Sequence, residues 1–220
     1  MSDVPVWTEQ KGAIMTLADL DHLVVSAATL PEGVAYVEEA LGVPMAGGGE
    51  HESMGTHNRL LSLGPDDYLE VIAINPDAEA PPYPRLFDLD YFTGPARITN
   101  WVMRVNCLSE ALARAPFGTG VSTPLSRGDF RWNMAVPGDG RYPFDGASPG
   151  MIEWLSPHPA PLLPDSGCRL GAVDIQHPEA EGLRVALAPF LADARVSITT
   201  GPKKTFRAEI ETPHGMRILT

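Results

Sequence analysis

A strand, a helix and then further strands recur along the chain, and few architectures accept that order more than once. Leu20-Asp21-His22-Leu23-Val24-Val25 is a short run of branched apolar residues, the mark of a β-strand. Helix signals follow at once. Thr29 and Glu32 form a capping box, and Pro31 occupies the first turn, where its missing N–H would be unpaired anyway. Val34, Val37 and Leu41 fall on one helical face, and Gly42 supplies the stop. A short strand is expected near 43–46, then a glycine-rich loop, Gly47-Gly48-Gly49-Glu50-His51. Two clearer strands follow at 56–63 and 68–74, on either side of the turn Gly64-Pro65-Asp66-Asp67.

The order restarts after a Pro- and Asp-rich connection at 75–95. A strand at 97–105, a short helix at 108–115, strands at 118–124 and 129–136 and a closing strand at 151–155 make the second copy. A third follows the prolines of 157–164, with a strand at 169–176, a helix at 179–191 and strands at 195–200, 205–212 and 216–219. The expected division is an N-terminal extension (1–17), modules at 18–76 and 96–156, and a third, shorter repeat at 167–220. Aligning the helix starts carries His22 onto Asn100. Aligning Leu69-Glu70-Val71-Ile72 with Ile152-Glu153-Trp154-Leu155 makes Glu70, Glu153 and Arg217 equivalent.

Side chains alternate across a strand, so parity sorts these residues. The apolar sets Leu23/Val25 and Leu69/Val71/Ala73 belong against the helix, which leaves His22 and Glu70 on the opposite, concave face. Leu20 and Val24 go with His22, and Asp21 goes to the helix side. Thr56, Asn58, Leu60 and Ser62 are the expected cleft set of their strand; the reverse parity would turn His57 and Arg59 inward. In the second copy Asn100, Val102, Arg104 and Met151, Glu153, Leu155 share the cleft, joined by Arg131 and Asn133. Trp101 and Trp154 fall on the helix side as core residues. An imidazole and carboxylates on an apolar face need pairing or a metal.

Composition bounds the partners. A net charge of −12 argues against nucleic acid as the main partner, because phosphate binding needs clustered Lys and Arg. The two cysteines, Cys107 and Cys168, do not make a disulfide framework and read as reduced thiols of a cytoplasmic protein. No run approaches the roughly 18 apolar residues of a membrane span, and 1–17 lacks a secretory layout. The glycine-rich loop lacks the Lys-Ser/Thr of a phosphate loop, and no serine or cysteine sits in a nucleophile motif.

Leu20–Val25, Gly55-Thr56-His57-Asn58-Arg59-Leu60-Leu61 and Tyr68-Leu69-Glu70-Val71-Ile72 together resemble the glyoxalase-like domain family of the vicinal oxygen chelate superfamily, over 20–158 and into the tail. The resemblance implies an α+β fold of tandem βαβββ modules paired around a concave cleft, with a third, shorter repeat at the C-terminus. It also implies metal ligands on the first and last strands of each module: here His22, Glu70 and Glu153, with Asn100 where a second histidine or acid often stands. Such donors suit Fe(II), Mn(II), Ni(II) or Zn(II), with the metal as Lewis acid on a chelated substrate. Asn100 is a weak neutral ligand, which reduces the set to three.

Simpler readings stand beside this one. His22 and Glu70 also make sense as a hydrogen-bonded pair, and Glu153 as an acid paired with Arg104 or Arg131 or as a general base. His57, Asn58, Asn100, Arg104 and Arg131 are the candidate ligand-binding residues, with His57 equally able to pin the glycine-rich loop and His51 placed on a lid. The leading expectation is a metal-dependent lyase, isomerase or dioxygenase acting on a small oxygenated compound. The alternatives are a metal-free binding or resistance protein using the same cleft, and a structural role in which the third repeat mediates a homodimer.

Overall fold

The structure, a computed structural model, describes residues 18–220; the extension expected at 1–17 lies outside the described residues. The first module comprises β1 (Asp19–Ser26), α1 (Leu30–Leu41), β2 (Ala46–His51), β3 (Thr56–Ser62) and β4 (Tyr68–Ile74). Its helix starts and stops where the caps require. Thr29 Oγ1 accepts from the Glu32 N–H at 3.3 Å, and Gly42 ends the helix in the left-handed region at φ 73°. The expected short strand and loop are inverted, because the glycine-rich run is itself the edge strand β2. Glycine is needed there for close approach. At Gly48, φ 106°, a Cβ would lie 2.2 Å from the Asn58 carbonyl oxygen.

The second module comprises β5 (Arg97–Arg104), α2 (Leu108–Leu112), β6 (Val121–Arg127), β7 (Phe130–Val136) and β8 (Gly150–Trp154). All eight strands form one sheet in the order β2-β3-β4-β1-β5-β8-β7-β6. In each module the closing strand lies parallel to the opening one, and β1 and β5 join the modules antiparallel. Val24 faces Asn100 and His22 faces Val102, which is the pairing a local two-fold demands. The sheet curls until its edges approach, and a Cβ on Gly49 of β2 would lie 3.2 Å from Arg127 Cδ of β6. This is the expected α+β arrangement of tandem βαβββ modules around a concave cleft.

The β1–β5 ladder carries one irregularity that alternation cannot show. Leu20 pairs with Met103 and His22 with Val102, so Asp21 is an extra residue in β1, a β-bulge. The two-fold repeats it: between the Val24–Asn100 and Val25–Ile98 pairs, Thr99 is the extra residue of β5.

The C-terminal unit comprises β9 (Arg169–His177), α3 (Ala180–Leu187), β10 (Val196–Thr200), β11 (Thr205–Thr212) and β12 (Gly215–Leu219). It repeats the order of elements but not their pairing. Its sheet runs β10-β9-β11-β12, with β10 parallel to β9 and β11 antiparallel on the other side. Since β12 pairs with β11 and not with β9, Arg217 occupies no position equivalent to Glu70, and that expected equivalence is corrected. The unit lies against the convex side of the large sheet. Helix α2 has only five residues, and Trp101 and Met103 of β5 are buried in one continuous core with Phe206, Ala208 and Ile210 of β11. An Arg195–Asp67 ion pair and a bond from the Ile98 N–H to the Thr220 carbonyl (3.1 Å) fasten its rim. Among the described residues, no helix is long and apolar enough to cross a membrane.

Helix α1 reaches β4 only because position 33 is glycine. A Cβ there would lie 2.4 Å from Val71 Cγ1 and 2.8 Å from Ala27 Cβ. Gly33→Ala is therefore expected to destabilise the protein by about 1–3 kcal/mol through overpacking, despite alanine's better helix propensity. Urea unfolding measures it, and an unchanged or higher midpoint would show that the helix can shift at no cost.

Candidate active site

Two polar residues of the first module meet where parity placed them. His22 Nε2 on β1 lies 3.5 Å from Glu70 Oε2 on β4, and both side chains are buried. Tyr68, paired with His22 across the strands, stacks its ring on the imidazole with centroids 4.5 Å apart. Asn58 on β3 holds the other carboxylate oxygen, donating from Nδ2 to Glu70 Oε1 at 2.5 Å. Its amide orientation is fixed because Oδ1 accepts from the Gly49 N–H at 2.9 Å.

The bulge adds the residue that alternation assigned to the wrong side. Asp21, fully buried, takes the His22 Nδ1–H on Oδ1 at 2.6 Å. Its Oδ2 accepts from Trp154 Nε1 at 2.9 Å and lies 2.9 Å from His158 Nε2 and 3.5 Å from the Arg104 guanidinium. Glu70, His22 and Asp21 thus form a continuous chain from the cleft floor into the interior.

Burial alone would push the His22 imidazole down, but its hydrogen bonds to Asp21 and Glu70 and their charges prevail and raise it to about 9. Burial likewise pushes Glu70 up, and the His22 hydrogen bond and charge outweigh it, leaving the carboxyl at about 2. Asp21 is held well below the usual carboxylate range against its own burial, by His158 and His22. At neutral pH the floor is therefore an imidazolium between two carboxylates. His51, at the end of β2, has the opposite fate. Burial lowers it to about 4; Glu70 opposes this, while Arg127 and His22 add to it. Neutral His51 keeps its proton on Nδ1 towards Thr56 Oγ1 (3.0 Å), leaving Nε2 to face the Asn58 amide at 3.4 Å.

Above this floor the walls are apolar. The second module contributes Trp132, Met134, Ile152 and Trp154, and the 75–95 connection folds Leu86, Phe87 and Leu89 over the top. Phe87 sits in the left-handed region at φ 63°, a conformation costing about 1–3 kcal/mol, and its ring lies 5.9 Å from that of Tyr142. The cavity, counted to its open mouth, holds about 610 Å³. The first module supplies the Glu70–His22 pair, and the second supplies much of the apolar wall together with Arg127.

Several expected site residues lie elsewhere. Glu153 faces the helix side, where Oε2 accepts from the Leu108 N–H (3.4 Å) and from Asn133 Nδ2 (3.2 Å), securing the start of α2. The cause is register. Val24 pairs with Glu70 as Val102 pairs with Gly150, so the true offset along the closing strands is 80 rather than 83. An odd error turns every side chain over. By the same error Trp154, expected in the core, lines the cleft, and the position equivalent to Glu70 is Gly150. Asn100 donates to the Gly146 carbonyl at 3.2 Å, in a neighbouring recess. Arg131 is exposed and bonds to the Gly128 and Phe130 carbonyls. Arg104 bonds to the Asp66 carbonyl at 2.9 Å and steadies Asp21. His57 lies off the cavity with its Nε2 unpartnered, and Asn58 stands behind Glu70 as its support. Asp21, Arg127, Trp154 and His158 are site residues that the sequence does not single out, and His51, expected on a lid, borders the cavity from the end of β2. The adjacent Asp21-His22 pair was the visible hint for the first.

The residues present do not fit the metal centre that the resemblance implies. The first module offers His22 and Glu70, but the second offers Asn100, engaged with backbone, and Gly150. Among the described residues, no three His, Cys, Asp or Glu side chains gather as a metal site. Three protein donors are the usual minimum for a catalytic ion.

The two histidines give stability opposite slopes with pH. His22 is raised from 6.5 to about 9, so its contribution is complete below 6.5 and disappears as pH climbs to 9. His51 is lowered from 6.5 to about 4, so stability is lost as pH falls from 6.5 to 4, where only the unfolded state takes up the proton. Unfolding free energy should therefore peak near pH 6.5. Denaturant titrations across pH, with His22→Gln flattening the alkaline limb and His51→Gln the acid limb, measure this. A wild-type profile flat from 6.5 to 9 would contradict the charged His22.

The model of the glyoxalase-like domain matches residues 20–191 of this chain. No curated protein gives a match. Among solved structures, a hypothetical protein from Staphylococcus aureus is similar with a TM-score of 0.63 at 11% identity, covering 86% of this chain and 88% of that one. Methylmalonyl-CoA epimerase from Mycobacterium tuberculosis aligns with a TM-score of 0.43 at 16% identity, over 66% of this chain and 92% of its own. The Streptomyces coelicolor epimerase in complex with 2-nitronate-propionyl-CoA gives 0.45 at 11% identity, over 64% and 100%. With the family model spanning most of its length, and the paired βαβββ modules around a cleft, the chain belongs to the glyoxalase-like domain family of the vicinal oxygen chelate fold.

Proposed function

We propose that the cleft is the active site of a proton-transfer enzyme acting on a small, largely apolar compound that carries a carbonyl oxygen. The observation that supports this reading is the buried Glu70–His22–Asp21 chain, which opens at its Glu70 end into an apolar cavity. Asp21 holds His22 with one proton on Nδ1 and keeps the ring charged, so Nε2 also presents an N–H. That N–H is a donor for a substrate oxygen on which negative charge develops, the part a Lewis acid plays in metal-dependent relatives. Glu70 is the base. While bonded to His22 its carboxylate is weakly basic; a substrate oxygen that takes over the Nε2–H releases it from that bond and raises its basicity. Glu70 then removes a proton from the carbon beside the carbonyl, and the same carboxyl returns it. Burial under Leu86, Phe87 and Leu89 keeps water from the enolate.

A second reading is a metal-free binding protein. It is supported by the satisfaction of His22 and Glu70 by each other and by the predominance of apolar wall.

Exchange in D2O separates the two. A panel of small 2-oxo and 3-oxo acids, esters and ketones incubated with the protein should include members whose α-hydrogens wash out, followed by proton NMR. Glu70→Gln is expected to slow that exchange by about 10²–10⁴-fold, the usual contribution of a general base. Saturable binding without exchange anywhere in the panel would favour the binding protein. Because the donor set is two short of a four-ligand site and one short of the catalytic minimum, metal analysis of protein purified without chelator should find Fe, Mn, Ni and Zn well below stoichiometry. One equivalent of any of them, lost in His22→Ala, would overturn the metal-free assignment.

A further inference from the structure

Arg127, the last residue of β6, is among the described residues the one cation of the cleft wall with no assigned task. Its side chain is buried, with 8% of the residue exposed, and it borders the same cavity as His22 and Glu70. Arg104, the arginine beside the Asp21–His22 pair, has Asp21 as its acidic partner. Among the described residues the Arg127 side chain has no ion pair and no hydrogen bond; its guanidinium lies over the Phe130 ring, 5.3 Å from the centroid. Glu50, Glu52 and Asp129 border an outer recess beside it without pairing to it. Its nitrogens are not sealed from solvent, so the charged head faces the open space of the cavity and the outer recess, where its five N–H donors in a fixed fork match a carboxylate. The seam position explains how it stays so: glycine at position 49 leaves room for the Arg127 stem where the curled sheet's edges approach.

The charges of the floor do not supply the missing partner. His22 is already shared by two carboxylates, and Asn58 occupies the far oxygen of Glu70. We infer that Arg127 is a specificity-determining residue that pairs with the carboxylate of the ligand, whose apolar body lies along Trp132, Met134 and Ile152 and whose carbonyl end reaches His22. The group is a carboxylate and not a phosphate, because a single guanidinium matches one negative charge and, among the described residues, no second cation borders the cavity apart from the shared His22. The inference rests on the reading of this cleft as the ligand site and narrows the substrate class to small apolar carboxylic acids bearing a carbonyl.

The test needs no knowledge of the substrate. Hexanoate, hexanamide and hexyl phosphate are titrated into the protein, followed by the fluorescence of Trp132 and Trp154 in the cavity wall and by calorimetry. Hexanoate is expected to bind about ten- to a hundredfold more tightly than hexanamide, the preference a charge-assisted hydrogen bond confers. Arg127→Gln should abolish that preference while leaving hexanamide unchanged, and Arg127→Lys should retain part of it. Hexanoate should raise the denaturation midpoint of the wild-type protein and should no longer stabilise Arg127→Met. Equal binding of acid and amide, no binding of either, a tighter hexyl phosphate complex, or a preference that survives Arg127→Gln would each overturn the assignment. Glu70→Gln separates the two proposals. If it keeps the carboxylate preference while no ligand undergoes exchange in the wild type, the proton-transfer reading fails and the Arg127 assignment stands.

Discussion

The carboxylate of Asp21 is the contact on which the site depends. It is fully buried, and a lone carboxylate at that depth would be untenable without donors. It has them from three parts of the chain: His22 beside it on β1, Arg104 on β5, and Trp154 and His158 at the end of the second module. Each of those groups is also placed by Asp21. The imidazolium is fixed in plane, Trp154 is held in the cleft wall, and His158 is held beside it. The bulge that makes this possible costs one irregular position in the β1–β5 ladder.

The two-fold between the modules makes the asymmetry of the cleft informative. The bulge recurs at Thr99, whose hydroxyl bonds to Ser26 at 2.6 Å, just as Asp21 faces Arg104 across the same ladder. A charged pair in one half answers a neutral hydroxyl pair in the other. Likewise His22 is answered by Asn100 and Glu70 by Gly150. The second half contributes Trp132, Met134, Ile152 and Trp154 to the cavity, with Arg127 as its one charged group there. That leaves an apolar wall between the His22–Glu70 floor and a guanidinium, the arrangement of a few placed polar groups in an apolar pocket that a small ligand requires. The C-terminal unit supports it from behind: with α2 reduced to five residues, β11 covers Trp101 and Met103 and keeps the outer face of β5 dry.

Legibility in the sequence followed physical range. The caps of α1 and the alternation along β3 and β4 are local, and they placed Thr29, Gly42, Asn58 and Glu70 correctly. The meeting of His22 and Glu70 needed only parity plus the order of elements. Asp21 was out of reach because a bulge is a property of two paired strands and leaves no mark in one. Glu153 failed for a related reason: Ile-Glu-Trp-Leu resembles Leu-Glu-Val-Ile as text, but the β5–β8 pairing fixes register, and three residues of slip invert a strand. The glycine-rich β2 was read as a loop because glycine disfavours strands in general, whereas here it admits the backbone of β3 and the Arg127 stem. The third repeat showed its elements but not their pairing, which depends on contacts made after the helix packs.

His22 and His51 show what decides charge in this cleft. Both imidazoles are buried and both border the same cavity, so desolvation presses each towards neutrality. They differ in their neighbours. His22 lies between two carboxylates that bond to both of its nitrogens, whereas His51 has a hydroxyl on one nitrogen and an amide N–H on the other, with Arg127 and His22 as nearby positive charge. One ring is therefore a stable cation and the other a stable neutral acceptor, on the walls of one cavity. The difference is mutual: a charged His51 would compete with His22 for Glu70 and repel Arg127. Keeping His51 neutral leaves Glu70 committed to His22 and leaves the guanidinium as the charge that an incoming anion meets.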